Sequence, residues 1–251
     1  MRITAVQHDI VWLDRDANFE RLSPMVAAAA ADGADLILLS ETFSTGFATD
    51  GSKVAEPPGG PSERFLQDQA VAHETWVGGT FPQNGDGPLP YNTFVLAGPD
   101  GTTHHYRKIH RFGYGGEDEV FGAGDRLVTV PIGDLRVTLF VCYDLRFADE
   151  FWQVALDTDV YLVPANWPAA RSAHWRQLLI ARAIENQAYV VGCNRVGSGD
   201  RLAYQGDSCI IDPLGDTLAR GADEEMLVTT EVDAAEVAAV RERFPFLADR
   251  R

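Results

Sequence analysis

Along this chain, short unbroken apolar runs alternate with longer stretches whose apolar residues recur every three or four positions. Residues 3–7 read as a strand. Over 14–31, Phe19, Leu22, Val26 and Ala29 fall at helical spacing, with Asp14 or Asp16 placed to cap the helix. Pro24 sits inside that pattern and predicts a kink or an early end, because proline has no N–H to donate. Residues 35–39 follow Gly33 as a continuous apolar run, the pattern of a strand covered on both faces. Residues 62–73 read as a helix, 76–80 and 92–97 as strands, and Gly98-Pro99-Asp100-Gly101 as a hairpin turn. The second half repeats the style. Strands are predicted at 137–141, 160–164, 189–194, 208–212 and 226–232, and helices at 171–187 and 234–243. The helix over 171–187 has little polar face, so it should pack on more than one side. An apolar tail, Phe244-Pro245-Phe246-Leu247, follows the last helix. No linker, charge block or low-complexity stretch divides the chain. A layered α/β fold in one domain, residues 1–251, is the expectation.

Three of these segments place a reactive side chain at a strand end, where α/β folds build their sites. Glu41 follows the run Leu36-Ile37-Leu38-Leu39-Ser40 and is either a solvated strand end or a partly buried acid held at the sheet's edge. Tyr106-Arg107-Lys108-Ile109-His110-Arg111-Phe112 is a basic cluster, with Glu117 and Glu119 shortly after it; an exposed basic loop is its plainest reading. Cys142 closes the strand at 137–141 and is followed by Tyr143-Asp144-Leu145-Arg146-Phe147. A buried cysteine often only fills space. At a strand end before polar residues, it also stands where a sharp turn exposes backbone N–H groups able to hold an oxyanion. Together the three form an acyl-transfer set. A cation lowers a thiol's pKa, and a neighbouring carboxylate can take the thiol proton and return it to a departing amine.

Composition sharpens this reading. The chain has 251 residues, 45% of them apolar, with 21 basic side chains against 37 acidic ones, a net charge of −16. That sign argues against nucleic-acid binding. No stretch approaches the roughly 20 apolar residues of a membrane span, and no signal-peptide pattern opens the sequence. Three cysteines without CxxC spacing argue against a disulfide scaffold or a zinc site and favour a reducing, cytoplasmic setting. Only two residues are lysine, Lys53 and Lys108; the other basic side chains are arginine. Lys53 reads as a surface residue. Lys108, inside a dense motif, raises the question of why arginine did not serve there.

Glu41 in "LLSETFSTGF", Lys108 in "YRKIHRF" and Cys142 in "VCYDLRF" resemble the Glu-Lys-Cys triad of the nitrilase superfamily of carbon–nitrogen hydrolases, in the same chain order. The resemblance continues through "PANWPAARSAHWRQLLIARAIENQAYVVGCNRVG" and "GDSCIIDPLGD", from "AVQHDIVWLD" to the "RFPFL" tail. Over 142–197 it is greatest to the ω-amidase branch, whose members deamidate α-keto acid amides such as 2-oxoglutaramate and 2-oxosuccinamate. The fold it implies is a four-layer α-β-β-α sandwich, commonly dimerised through helices; here the helix over 171–187 and the Phe244-to-Leu247 tail are the candidate interface. The roles it implies are Cys142 as nucleophile forming a thioester, Glu41 as general base and acid, and Lys108 with the Tyr143 backbone N–H as the oxyanion site. An auxiliary glutamate is implied too; Glu117 matches best by spacing and Glu119 stands close by. The loop Gly113-Tyr114-Gly115-Gly116 departs from the branch's commoner sequence. Neither metal nor organic cofactor is implied.

Other candidates remain beside these. His110 or His174 could serve Cys142 as base in a Cys–His arrangement, though the resemblance makes His110 a structural hydrogen-bonder. Cys193 and Cys209 read as core, His104 and His105 as surface. A keto acid amide carries a carboxylate, for which Arg146 and Arg171 are the candidate anchors; the alternative for Arg146 is an ion pair with Asp144 or Asp149. Phe47, Tyr114 and Trp167 are candidates for an aromatic wall. Arg107, Lys108, Arg111 and Arg146 are expected to gather near the site and reverse the overall negative field there. The expected partner is a small amide, with no nucleic acid or membrane. Rivals are an amidase or N-carbamoyl hydrolase acting on another small substrate, and a catalytically silent scaffold that keeps the fold.

Overall fold

The structure, a computed structural model, describes residues 1–48 and 51–250. Strands β1 (Arg2–Gln7), β2 (Leu36–Leu38), β3 (Trp76–Gln83), β4 (Tyr91–Ala97) and β5 (Thr103–Arg107) come first in the chain. Next come β6 (Thr129–Ile132), β7 (Leu135–Leu139), β8 (Val160–Ala165) and β9 (Tyr189–Asn194). A separate hairpin, β10 (Val196–Gly199) and β11 (Leu202–Gln205), precedes β12 (Cys209–Ile211), β13 (Thr217–Arg220) and β14 (Met226–Glu231).

The first sheet has the order β14-β1-β2-β3-β4-β5 and the second the order β13-β12-β9-β8-β7-β6. In each, three central strands run parallel and antiparallel neighbours flank them. Strand β2 explains why its sequence reads as continuous rather than alternating. Leu36 and Leu38 enter the core shared with the second sheet, while Ile37 and Leu39 face a second cluster under the helices Arg15–Ala31 and Pro61–Ala72. The helices Ala148–Val154 and Ser172–Asn186 cover the second sheet, with Phe151, Trp175, Leu179 and Ala183 buried against it. The result is the four-layer α-β-β-α sandwich. Cys193 sits between the sheets, its thiol aimed at the Leu38 and Val6 carbonyls at 3.2 and 3.4 Å. With Cys209 it is buried, as expected.

The helix cap and the turn fall where expected. Asp14 caps the first helix by accepting from Ala17 N at 3.0 Å, and the turn at 98–101 joins β4 to β5 with Gly101 at φ +81°. Pro24, however, neither ends nor shortens Arg15–Ala31. Both Pro24 and Glu20, whose carbonyl loses its helical donor, are exposed, so water can replace that bond.

Candidate active site

The two sheets bring their strand ends together. Glu41 lies just beyond β2, Lys108 just beyond β5, Cys142 just beyond β7 and Asn166 just beyond β8. At two of these ends the backbone enters the left-handed region at a non-glycine residue: Thr42 at φ +44° and Cys142 at φ +44°. Such a conformation costs on the order of 1–3 kcal/mol and persists only where neighbours hold it. The Thr80 hydroxyl accepts from Thr42 N at 2.8 Å, and Asp144 accepts from Val141 N at 3.0 Å.

Lys108, 1% exposed, lies between two buried carboxylates. Its Nζ is 2.9 Å from Glu41 Oε1 and 2.9 and 3.0 Å from the two oxygens of Glu117. Asn92 Nδ2 donates to Glu41 Oε1 at 2.9 Å and reaches Glu117 Oε1 at 3.3 Å. Asn166 N donates to the other Glu41 oxygen at 2.8 Å, while its side chain donates to Glu41 O and Thr42 Oγ1, both at 2.7 Å. Glu117 is held further by Phe112 N at 2.6 Å. Glu119 is exposed, so the neighbour of Lys108 is Glu117.

Charge follows from this packing. Burial opposes the ammonium, but Glu117 and Glu41 outweigh it and hold the Lys108 pKa well above its ordinary value. The thiol goes the other way from the sequence expectation. Burial pushes Cys142 up, the Glu41 charge pushes it further, and Lys108 only partly opposes them. Lys108 is already committed to two carboxylates, so at rest Cys142 is a thiol hydrogen-bonded to Glu41, not a thiolate.

A cavity of about 120 Å³ opens above these groups. Glu41, Phe47, Lys108, Cys142, Tyr143, Arg146, Trp167 and Arg171 all line it. Lys108 Nζ lies 5.6 Å from the Phe47 ring. Arg146 stacks over Trp167 at 4.7 Å and Arg171 over Phe112 at 5.4 Å. Among the described residues, neither guanidinium has a carboxylate at ion-pair distance. Asp144 accepts instead from Val141 N, His110 N and the Tyr106 hydroxyl. The Tyr143 N–H makes no backbone hydrogen bond among the described residues.

Several expectations need correction. Tyr114 does not line the cavity: it is 91% exposed. Its neighbour Phe112 takes that place, two residues back around the short turn Gly113–Gly115. Arg107 stacks on Tyr91 at 4.1 Å and Arg111 reaches the Phe121 carbonyl at 3.1 Å, so neither faces the cavity. Arg171, absent from that expected cluster, does. His110 meets Glu150 at 2.6 Å and stacks on Phe147, whereas His174 meets Arg146 at 3.3 Å; neither lines the cavity. His105 is exposed, as expected, yet reaches Glu63 at 3.0 Å. Sequence reading passed over Asn92, Asn166 and the β10–β11 hairpin, which brings Asp200, Leu202 and Tyr204 to the cavity. Asn166 follows a buried strand, the same signal that picked out Glu41 and Cys142.

A buried carboxylate against a thiol, with a neighbouring ammonium and an unengaged backbone N–H, is equipped for acyl transfer. The comparisons with known proteins agree. The carbon-nitrogen hydrolase family model matches residues 2–242. The omega-amidase YafV of Yersinia enterocolitica is 39% identical over 253 residues, covering 99% of this chain and 96% of that one. The 2-oxoglutaramate amidase of Bacillus subtilis (strain 168) is 32% identical over 255 residues, covering 99% and 97%. Among solved structures, XC1258 from Xanthomonas campestris, a CN-hydrolase superfamily protein with an arsenic adduct in its active site, superposes with a TM-score of 0.95. It is 35% identical, with 100% of this chain and 97% of that one covered. From its strand ends to its full length, this chain belongs to the carbon-nitrogen hydrolase family.

Proposed function

We propose that this enzyme hydrolyses a small ω-amide of an α-keto acid, of the 2-oxoglutaramate or 2-oxosuccinamate kind, to acid and ammonia through a Cys142 thioester. The observation that carries the substrate class is the pair Arg146 and Arg171. Two guanidiniums face a small aromatic-walled cavity, and among the described residues neither has a carboxylate at ion-pair distance; a substrate carboxylate supplies that partner. The names of the similar amidases point the same way.

In this reading Glu41 takes the thiol proton as Cys142 Sγ attacks the amide carbon, which matches a thiol kept protonated at rest. The oxyanion forms between Lys108 Nζ and the Tyr143 N–H. Glu41 then returns the proton to the nitrogen, the C–N bond breaks and ammonia leaves. The same carboxylate next deprotonates a water that attacks the thioester carbonyl; the C–S bond breaks and the proton returns to Cys142. Glu117 fixes the Lys108 ammonium and, through Asn92, the face of Glu41. A lysine suits the place because a single nitrogen can meet Glu41, Glu117 and the oxyanion together, which a planar guanidinium cannot.

An ammonia-release screen over a panel of about a dozen amides, with the Cys142→Ala protein as blank, tests the reading. Turnover restricted to neutral aliphatic amides or N-carbamoyl compounds would move the substrate class to the rival amidase reading. For the anchors, Arg146→Ala and Arg171→Ala should each lower kcat/KM for 2-oxosuccinamate on the order of 10–100-fold. A neutral amide of similar size should lose far less. Equal losses on both substrates would remove the carboxylate role.

The reading extends to a cytoplasmic homodimer. The helix Ser172–Asn186 leaves Ile184 50% exposed, Leu214 is 45% exposed, and Phe246 in the tail is 63% exposed, apolar surface that a second copy would cover. Sizing is expected at twice the chain mass; a monomer on dilution counts against it.

A further inference from the structure

The Cys142 turn needs something to hold it. Its left-handed residue is not glycine, and the turn must stay in register with Lys108, which arrives from the other sheet. One side chain touches both. Asp144, 1% exposed, accepts from Val141 N at 3.0 Å on its own turn. From the Lys108 side it accepts from the Tyr106 hydroxyl and from His110 N, both at 2.8 Å. Tyr106 and His110 are the residues two before and two after Lys108.

We propose that Asp144 is a positioning residue: its carboxylate clamps the Cys142 turn to the strand end that carries Lys108, holding nucleophile and cation in register. This rests on Cys142 being the nucleophile. The clamp is strongest as a carboxylate, which accepts from all three partners as two main-chain N–H groups and one hydroxyl converge on its two oxygens. A protonated Asp144 has one acceptor position fewer: its O–H must turn to the Tyr106 hydroxyl, which then accepts instead of donating, and the clamp weakens.

The groups facing Asp144 set when that happens. Burial pushes it up to about 6, against the His110 N–H, the Lys108 charge, the Tyr106 hydroxyl and the Val141 N–H, which all favour the ionised form. Beyond these, Glu150 on the helix Ala148–Val154 pairs with the His110 ring at 2.6 Å, and Arg182 on Ser172–Asn186 donates to the Leu145 carbonyl at 3.1 Å. Cys142 and Arg146 lie on the same turn. The sign is therefore that activity is full well above the Asp144 pKa of about 6 and falls as the pH drops through that titration.

Two variants test the clamp. Asp144→Asn points an amide N–H at one of the main-chain donors, so kcat should fall on the order of 100-fold by misplacing the nucleophile, with KM little changed. Tyr106→Phe keeps the ring against Phe140, 5.9 Å away, and removes one contact that favours the carboxylate. The acid limb of kcat should then move to higher pH, while the high-pH plateau falls less than in Asp144→Asn because His110 N still holds the carboxylate. A merely structural Tyr106 would not move that limb. A folded Asp144→Asn protein with near-parental kcat, or a Tyr106→Phe limb at the parental pH, overturns the proposal. If Asp144→Asn does not fold, the Tyr106→Phe limb decides alone. Failure here is distinct from failure of the cysteine reading, in which Cys142→Ala would still release ammonia.

Discussion

Replacing Cys142 with alanine should stop ammonia release from every amide the parent hydrolyses, a loss on the order of 10⁴-fold or more. The size follows from the cavity. Cys193 and Cys209, the other two cysteines, are buried between and within the sheets, so neither can substitute. Glu41 without the thiol can only activate water directly, which forgoes the covalent step that divides the barrier. The variant should still fold, since the contacts that hold the turn belong to the main chain and Asp144 rather than to the thiol. Folding checked by thermal unfolding and activity checked by ammonia release separate the two effects. Residual turnover in the folded variant would overturn thioester chemistry. Inactivity of the parent on every amide would favour a silent scaffold.

The second large effect concerns Lys108. Lys108→Met leaves Glu41 and Glu117 buried around a missing cation, and breaking a buried pair from one side costs about 3–5 kcal/mol. Activity should vanish and the protein should unfold at lower temperature or denaturant. Adding Glu117→Gln to Lys108→Met removes one of the stranded charges and should restore part of the lost stability, but none of the activity. A double variant no more stable than the single one would show that the lysine is not compensating these carboxylates. Lys108→Arg keeps the charge yet should lose on the order of 100-fold in kcat, because a bulkier planar fork must enter a site only 1% exposed.

The sequence revealed its strands where both faces are covered. Runs such as Leu36-Ile37-Leu38-Leu39 stand out because each residue has an apolar layer to enter. It hid the hairpin β10–β11, whose Gly197, Ser198, Gly199, Asp200 and Arg201 carry no apolar alternation and whose tip turns through left-handed residues at Asp200 and Arg201. Glu41, Lys108 and Cys142 were legible because each follows a strand and their chain order matches a known pattern. Their partners were less so. Nothing in the sequence distance between Asn166 and Glu41, 125 residues, says that the two sheets meet there. Phe112 and Tyr114 could not be told apart as cavity wall, since a short turn decides which ring points inward. Nor does the sequence reveal the resting state of the thiol, because a neighbouring cation is visible in a motif and burial beside Glu41 is not.

The pairing of β14 with β1 carries one more implication. Arg2 lies opposite Glu231 and Gln7 opposite Met226, and the Met1 ammonium reaches the Val232 carbonyl at 2.9 Å. Strand β1 thus waits for β14, made long after it, before its ladder can close. Until β14 emerges, one edge of β1 exposes unpaired amides beside an apolar face, the condition under which nascent sheets mispair with neighbouring chains. Contacts so distant in sequence also slow the search for the native pairing. The sheet that carries the Glu41 and Lys108 strand ends therefore stays unfinished until β14 emerges.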